Sequence, residues 1–261
     1  MSRSIWHFLI LRKFAHIVVA TQNKAVIWMT TVGRRRKIGS IALSRLGSEY
    51  GGWWVPCELD LCPSPRVLVS AGLGFDITFD KEMLERNFFV IGLDPLKECC
   101  DHAARELGAL PSLEILNKGI STFTGKQVFY EPRISHHDSW STINAQEVIN
   151  PKSIEFDVIS MSDLWATHEV INSAQFKYLK MDIEGAELAI LEKNLSELLC
   201  FDFIAIEMDF LSLLPFRATK KRIIRVARAR RILKQFEVKG FSLIHTENFN
   251  FFGVEQNDLF A

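Results

Sequence analysis

Several signatures are missing from this chain, and each absence removes a class of function. Cys57, Cys62, Cys99, Cys100 and Cys200 form no CxxC pair and have no histidine at zinc-ligand spacing. That excludes a zinc ribbon and a disulfide framework, and free thiols suit a reducing cytoplasm. No stretch of about 18 uninterrupted apolar residues is present, the length a spanning helix needs. Arg12 and Lys13 end the run that starts at Ile5, and Gln22, Asn23 and Lys24 interrupt Phe14 to Met29. The first run is also short for a signal peptide, and no convincing small-residue cleavage site follows it. Internal repeats and low-complexity tracts are absent. Net charge is absent too, with 31 basic against 31 acidic residues.

That zero hides an uneven distribution. Residues 1–48 hold nine Lys or Arg and no acid, and residues 217–234 hold nine more and again no acid. The remainder carries 13 basic against 31 acidic residues, a balance of −18. An acidic body with two basic patches is expected, and such a patch suits phosphates, anionic lipid or acidic saccharide. Trp6, Phe8, Leu9 and Trp28 stand among the N-terminal cations, so peripheral membrane contact through residues 1–48 is one reading. Docking of that segment on the main domain is the other. No nucleic-acid-reading motif accompanies the second patch, and no nucleic-acid partner is expected.

The hydrophobic share of 48% is ample for one large α/β core. Residues 1–50 read as a basic, helical N-terminal extension, and residues 51–261 as the main domain. From Arg66 onward strands and helices alternate. Apolar runs at 67–70, 88–93, 113–120, 176–183 and 203–208 are separated by helical spacing, with further strands at 128–130 and 156–161 around a polar insert. A long cationic helix spans 217–236, and 241–245 with 250–254 close the chain as a hairpin-like pair. This alternation predicts a doubly wound, mostly parallel sheet with ligands at the carboxyl ends of its strands.

Two strand ends carry chemistry. The first is Ser70-Ala71-Gly72-Leu73-Gly74-Phe75-Asp76, where glycines permit a tight turn and close backbone approach to a ligand. Asp94 ends the next apolar run, 20 residues after Gly74, where a carboxylate can accept both ribose hydroxyls of an adenosine. A dinucleotide site would want glycine at 77, but Ile77 stands there, and no GK[ST] phosphate loop follows. S-adenosylmethionine, which has no pyrophosphate, suits such a loop. The second end is Lys180-Met181-Asp182-Ile183-Glu184-Gly185-Ala186-Glu187, three carboxylates that repel unless they bind something or are bridged.

The Lys180-x-Asp182-x-Glu184-Gly185-Ala186-Glu187 segment resembles the signature of the FkbM-type methyltransferases. Asp94-Pro95, Ser139-Trp140-Ser141 and Gly240-Phe241 are similar to further family features, and the resemblance covers about residues 66–254. It implies a class I, Rossmann-like methyltransferase fold, S-adenosyl-L-methionine as cofactor, and O-methylation of a hydroxyl on a saccharide or natural-product acceptor. By resemblance, Ser70, Gly72, Gly74, Asp76, Asp94 and Pro95 would form the cofactor site, and Asp182 and Glu184 the methyl-transfer site. Ser70 stands where the family usually has an acid, and the Ala-Asn pair between the glycines is missing; Asp76 would offset the lost polar contact.

A hydroxyl acceptor benefits from a base. Asp182 is the first choice and Glu184 the second. His136, with His137 beside it, has the unperturbed pKa best suited to the task. A divalent metal on Asp182 and Glu184 is a minor alternative, and no metal is assigned. The competing function is a catalytically silent adenosine-binding scaffold, with or without a membrane surface. A cytoplasmic location is expected; the acceptor and oligomeric state are not legible.

Overall fold

The computed structural model describes residues 24–32, 41–131, 140–142, 152–211, 219–247 and 250–255. Residues 24–31 form helix α1. A hairpin of β1 (Leu43–Leu46) and β2 (Trp53–Pro56) follows, then β3 (Arg66–Ala71), α2 (Thr78–Glu85), β4 (Phe88–Leu93), α3 (Lys97–Leu107) and β5 (Leu113–Leu116). Next come β6 (Gly119–Ser121), β7 (Gly125–Tyr130), β8 (Ser153–Ser160), α4 (Met161–Thr167), α5 (Glu169–Ser173) and β9 (Phe176–Met181). The chain closes with α6 (Glu187–Lys193), α7 (Leu195–Leu198), β10 (Phe203–Glu207), α8 (Thr219–Val238), β11 (Phe241–Glu247) and β12 (Asn250–Glu255).

Seven strands make the central sheet in the order β11-β12-β10-β9-β3-β4-β5. β10, β9, β3, β4 and β5 are mutually parallel, while β12 runs antiparallel to both its neighbours. The chain order reverses between β3 and β9, which makes that boundary the switch point where a doubly wound sheet opens a crevice. The sequence explains the burial. Every residue of β3 is buried, as a parallel strand covered on both faces requires. Its side chains alternate: Val67, Val69 and Ala71 join one apolar cluster with Ile232 and Leu233 of α8. Leu68 joins the other, with Phe79 and Met83 of α2 and Trp53 of β2. Full burial of side chains such as Phe79 and Val69 stabilises by roughly 1.5–3 kcal/mol each.

Three differences from the sequence reading have physical causes. The run at 113–120 is two strands, not one. Asn117 donates from Nδ2 to the carbonyls of Asp94 (3.1 Å) and Pro95 (3.0 Å), which turns the chain out of the main sheet. β6 then pairs with β8, and β8 with β7, as a separate three-stranded sheet. The segment expected to be wholly helical contains β1, paired in register with β2. A boundary at residue 50 falls in the turn of that hairpin, and both Leu46 and Trp53 belong to the main core. α1 also docks: Val26 is buried in the core and Arg230 of α8 donates to the Met29 carbonyl at 2.5 Å. Residues 1–23 and 33–40 lie outside the described residues. Among the described residues no helix is long and apolar enough to cross a membrane.

Candidate functional site

Strand register assembles the site. β4, β3 and β9 end level with one another, at Leu93, Ala71 and Met181, and Ile206 of β10 is level with them. The residues that follow are therefore Asp94, Gly72, Asp182 and Glu207, side by side along the carboxyl edge of the sheet. They bound a cleft of about 440 Å³, within the usual size of small-molecule sites. The hairpin β1–β2 forms its other wall. Arg45 meets Glu247 at 3.6 Å, and Trp54 Nε1 donates to the same carboxylate at 2.7 Å.

The glycine loop is held from three sides. Gly72 has φ +84°, and its N–H donates to the Leu93 carbonyl at 2.8 Å. Lys180 Nζ donates to the Gly72 carbonyl and sits 5.7 Å from the Trp53 ring centroid, a cation–π contact. Asp94 then accepts from the Gly74 N–H at 3.0 Å and the Leu96 N–H at 2.8 Å. Burial raises the Asp94 pKa against the pull of those bonds.

Asp76 ties the loop to the hairpin. It accepts from Ser48 Oγ at 2.5 Å, from the Gly51 N–H at 3.2 Å and from Thr78 Oγ1 at 2.6 Å. Burial opposes its ionisation, but these bonds prevail and hold its pKa below the usual value. Ser70 is fully buried inside β3 and does not line the cleft. Pro95 lines an adjoining cavity of about 50 Å³ with Trp140 and Ile183. Trp140 also packs edge-on against Phe156.

At the β9 end, Asp182 and Glu184 both line the cleft. Glu184 adopts φ +52°, a left-handed conformation uncommon for any residue other than glycine, and Ser141 Oγ donates to its carbonyl at 2.5 Å. Gly185 follows at φ +101° and donates its N–H to Glu187 Oε1 at 2.8 Å. Glu187 is fully buried; burial, then Asp209, raises its pKa well above the ordinary carboxyl range. His136, His137 and Ser139 lie outside the described residues.

Four features were not singled out in the sequence. Glu207 and Asp209, at the end of β10, join Asp182: one carboxylate oxygen of each lies within 4.8 Å of the others. Burial, then Asp182, Asp209 and Glu184, push the Glu207 pKa up to about 9. Lys180 belongs to the signature segment, and in the structure it also supports the glycine loop. Asp80 of α2 is fully buried, and burial raises its pKa while the Lys180 charge opposes that rise. The signal for Glu207 was available, because it stands at the carboxyl end of a buried strand, as Asp94 and Asp182 do.

A family model described as the methyltransferase FkbM domain matches residues 88–237, more than half of the chain. The match begins with β4, so it takes in Asp94, the Lys180–Glu187 segment and Glu207, but not the glycine loop. No curated protein matches the chain.

Proposed function

Since this chain belongs to the FkbM methyltransferase family, we propose that it transfers the methyl group of S-adenosylmethionine to a hydroxyl oxygen on a saccharide or natural-product acceptor. The observation that carries this reading is the adjacency of Gly72 and Asp182 across the switch point of the sheet. The cofactor loop and the strongest candidate base thereby face one cleft.

The residues present fit the donor. Among the described residues, eight acidic side chains and two cations line the cleft, an environment that favours a positively charged ligand. The left-handed turn at Gly72 keeps side chains out of the loop floor. Each Asp94 oxygen accepts one backbone N–H and keeps a further lone pair that would be available to a ribose hydroxyl. When bound, the donor supplies an electrophilic methyl carbon on a cationic sulfur.

The chain's own residues then do the rest. Backbone groups from Gly72 to Gly74, with Asp94, hold the adenosine portion. Asp182 would take the proton that the acceptor hydroxyl must lose when its oxygen is methylated. Alignment of the oxygen with that methyl supplies much of the acceleration. The fixed β9 end at Asp182 and the hairpin wall at Arg45 and Trp53 set that alignment.

The test is incubation with radiolabelled S-adenosylmethionine and an extract of the source organism, followed by identification of the labelled product. Label on a saccharide or natural-product hydroxyl is the expected result. Asp182→Asn is expected to abolish labelling while calorimetric affinity for the donor stays within a few fold. Full labelling by that variant would remove Asp182 from the base role. Failure of the wild type to bind the donor would overturn the whole reading.

A further inference from the structure

The two basic stretches of the sequence meet on one surface, because Arg230 of α8 donates to the Met29 carbonyl of α1 across 201 residues. α8 buries one side. Val226, Ala229, Ile232, Leu233 and Phe236 face the core at the three- and four-residue spacing of a helix stripe. Its opposite side is a second stripe at the same spacing. Lys220, Ile224, Ala227, Arg231, Lys234 and Val238 are all exposed, one above the next over about 27 Å. From Lys220 to Lys234 the helix carries eight Lys or Arg and no acid. Glu192 of α6 pairs with Arg228 and also acts on Arg231. Lys220 and Lys234 form no ion pair with any described residue.

Exposed apolar groups stand among these cations. Ile223 is 60% exposed, Ile224 58% and Val238 74%. On α1, Val26 is buried, while Trp28 and Met29 remain 50% and 38% exposed. Cations alone would describe a solvated helix face or a footprint for a phosphate backbone. Large apolar side chains held in water between them add a cost that neither of those explains and that a lipid interface removes. α8 is far too charged to span a bilayer, so it would lie along the surface. Its first turns are at the cleft end of the molecule, since Arg225 Nη1 donates at 2.7 Å to the Phe210 carbonyl, just beyond β10.

We propose that the joint face of α1 and α8 docks on an anionic lipid surface. Ile223, Ile224, Trp28 and Met29 enter the headgroup layer, while Lys220, Arg231 and Lys234 meet the lipid phosphates. Each cation held near such a surface strengthens binding about fivefold, and the apolar groups make the contact partly resistant to salt. Docking in this way brings the lipid to the same end of the molecule as the cleft.

The test is flotation of the full-length protein with phosphatidylcholine vesicles, with and without one-third phosphatidylglycerol, at low and high salt. Binding is expected to be at least tenfold tighter to the anionic vesicles and to weaken, without vanishing, as salt rises. The paired substitution Lys220→Gln with Lys234→Gln is expected to weaken it at least tenfold, and so is Ile223→Ser with Ile224→Ser. Lys81→Gln should leave it unchanged, because that exposed lysine is on α2, on the opposite face of the sheet. Circular dichroism on each variant separates lost fold from lost contact, and the comparison of the two vesicle types needs no variant. Equal binding to neutral and anionic vesicles, or none to either, overturns the proposal. Folded α8 variants that float like the wild type overturn it too, as does an equal loss in Lys81→Gln. Duplex DNA bound in place of vesicles, with affinity unchanged by Ile223→Ser and Ile224→Ser, would assign the stripe to nucleic acid instead.

Discussion

A Cβ placed on Gly72 would lie 1.7 Å from the carbonyl oxygen of Asp182, so the glycine loop and the end of β9 meet backbone against backbone. Gly72→Ala must therefore separate β3 from β9 at their carboxyl ends, and it also places alanine at φ +84°. The expected loss of stability is about 2–4 kcal/mol, read from the urea midpoint at constant m. Affinity for S-adenosylmethionine is expected to fall with it. Wild-type stability in this variant would contradict the close contact.

Lys180 supports that contact from below, and its charge acts on the buried Asp80 carboxyl. Lys180→Met is expected to destabilise by about 1–3 kcal/mol, because it leaves the Gly72 carbonyl without its donor. Adding Asp80→Asn should recover part of that loss, so the double variant costs less than the two single ones added together. Strict additivity in the cycle would show that the two groups do not interact.

Much of this site was legible because strand ends announce themselves. Glycines after Val67–Val69, an acid–proline pair after Phe88–Leu93 and an acid-rich turn after Phe176–Met181 each follow an apolar run. Each thereby marks the carboxyl end of a strand, although the row they form, Asp94, Gly72, Asp182, is out of chain order. Interactions between residues far apart in sequence were not legible. Asp76 reads as a loop acid, but its partner Ser48 is 28 residues away. Trp54 donates to Glu247 across 193 residues. β1 escaped notice because Leu43-Ser44-Arg45-Leu46 is too short to show a period against the basic stretch before it. The break at Asn117 depends on carbonyls more than twenty residues upstream, which no local pattern reports.

His245 supplies a test of stability against pH. It packs against Trp54 at 5.0 Å and Phe252 at 5.4 Å between ring centroids. Burial lowers its pKa below 6.5, although Glu247 opposes that shift. The folded protein therefore resists a proton that the unfolded chain accepts. The contribution is fully present above pH 6.5 and is lost as pH falls through the folded-state pKa. His245→Gln is expected to flatten the decline in stability between pH 7 and 5. The change is a fraction of the about 1.4 kcal/mol per pH unit that one complete proton would give, because the ring is only partly buried. Identical slopes in the two proteins would reject the assignment.

Glu184 separates backbone from side-chain roles within the site. Its φ of +52° forces a left-handed turn on a residue with a Cβ, at a strain of order 1 kcal/mol or more. At an ordinary position alanine is at least as stabilising as glycine. Here the order should invert, with Glu184→Gly more stable than Glu184→Ala by about 1 kcal/mol in thermal unfolding, since only glycine relaxes the turn. Both substitutions remove the carboxylate from the cleft, so both should lose methyl transfer to the same degree. If glycine kept turnover and alanine lost it, the turn would matter and the carboxylate would not. Alanine proving the more stable would mean that no strain is stored at 184, and the left-handed turn would then owe nothing to function.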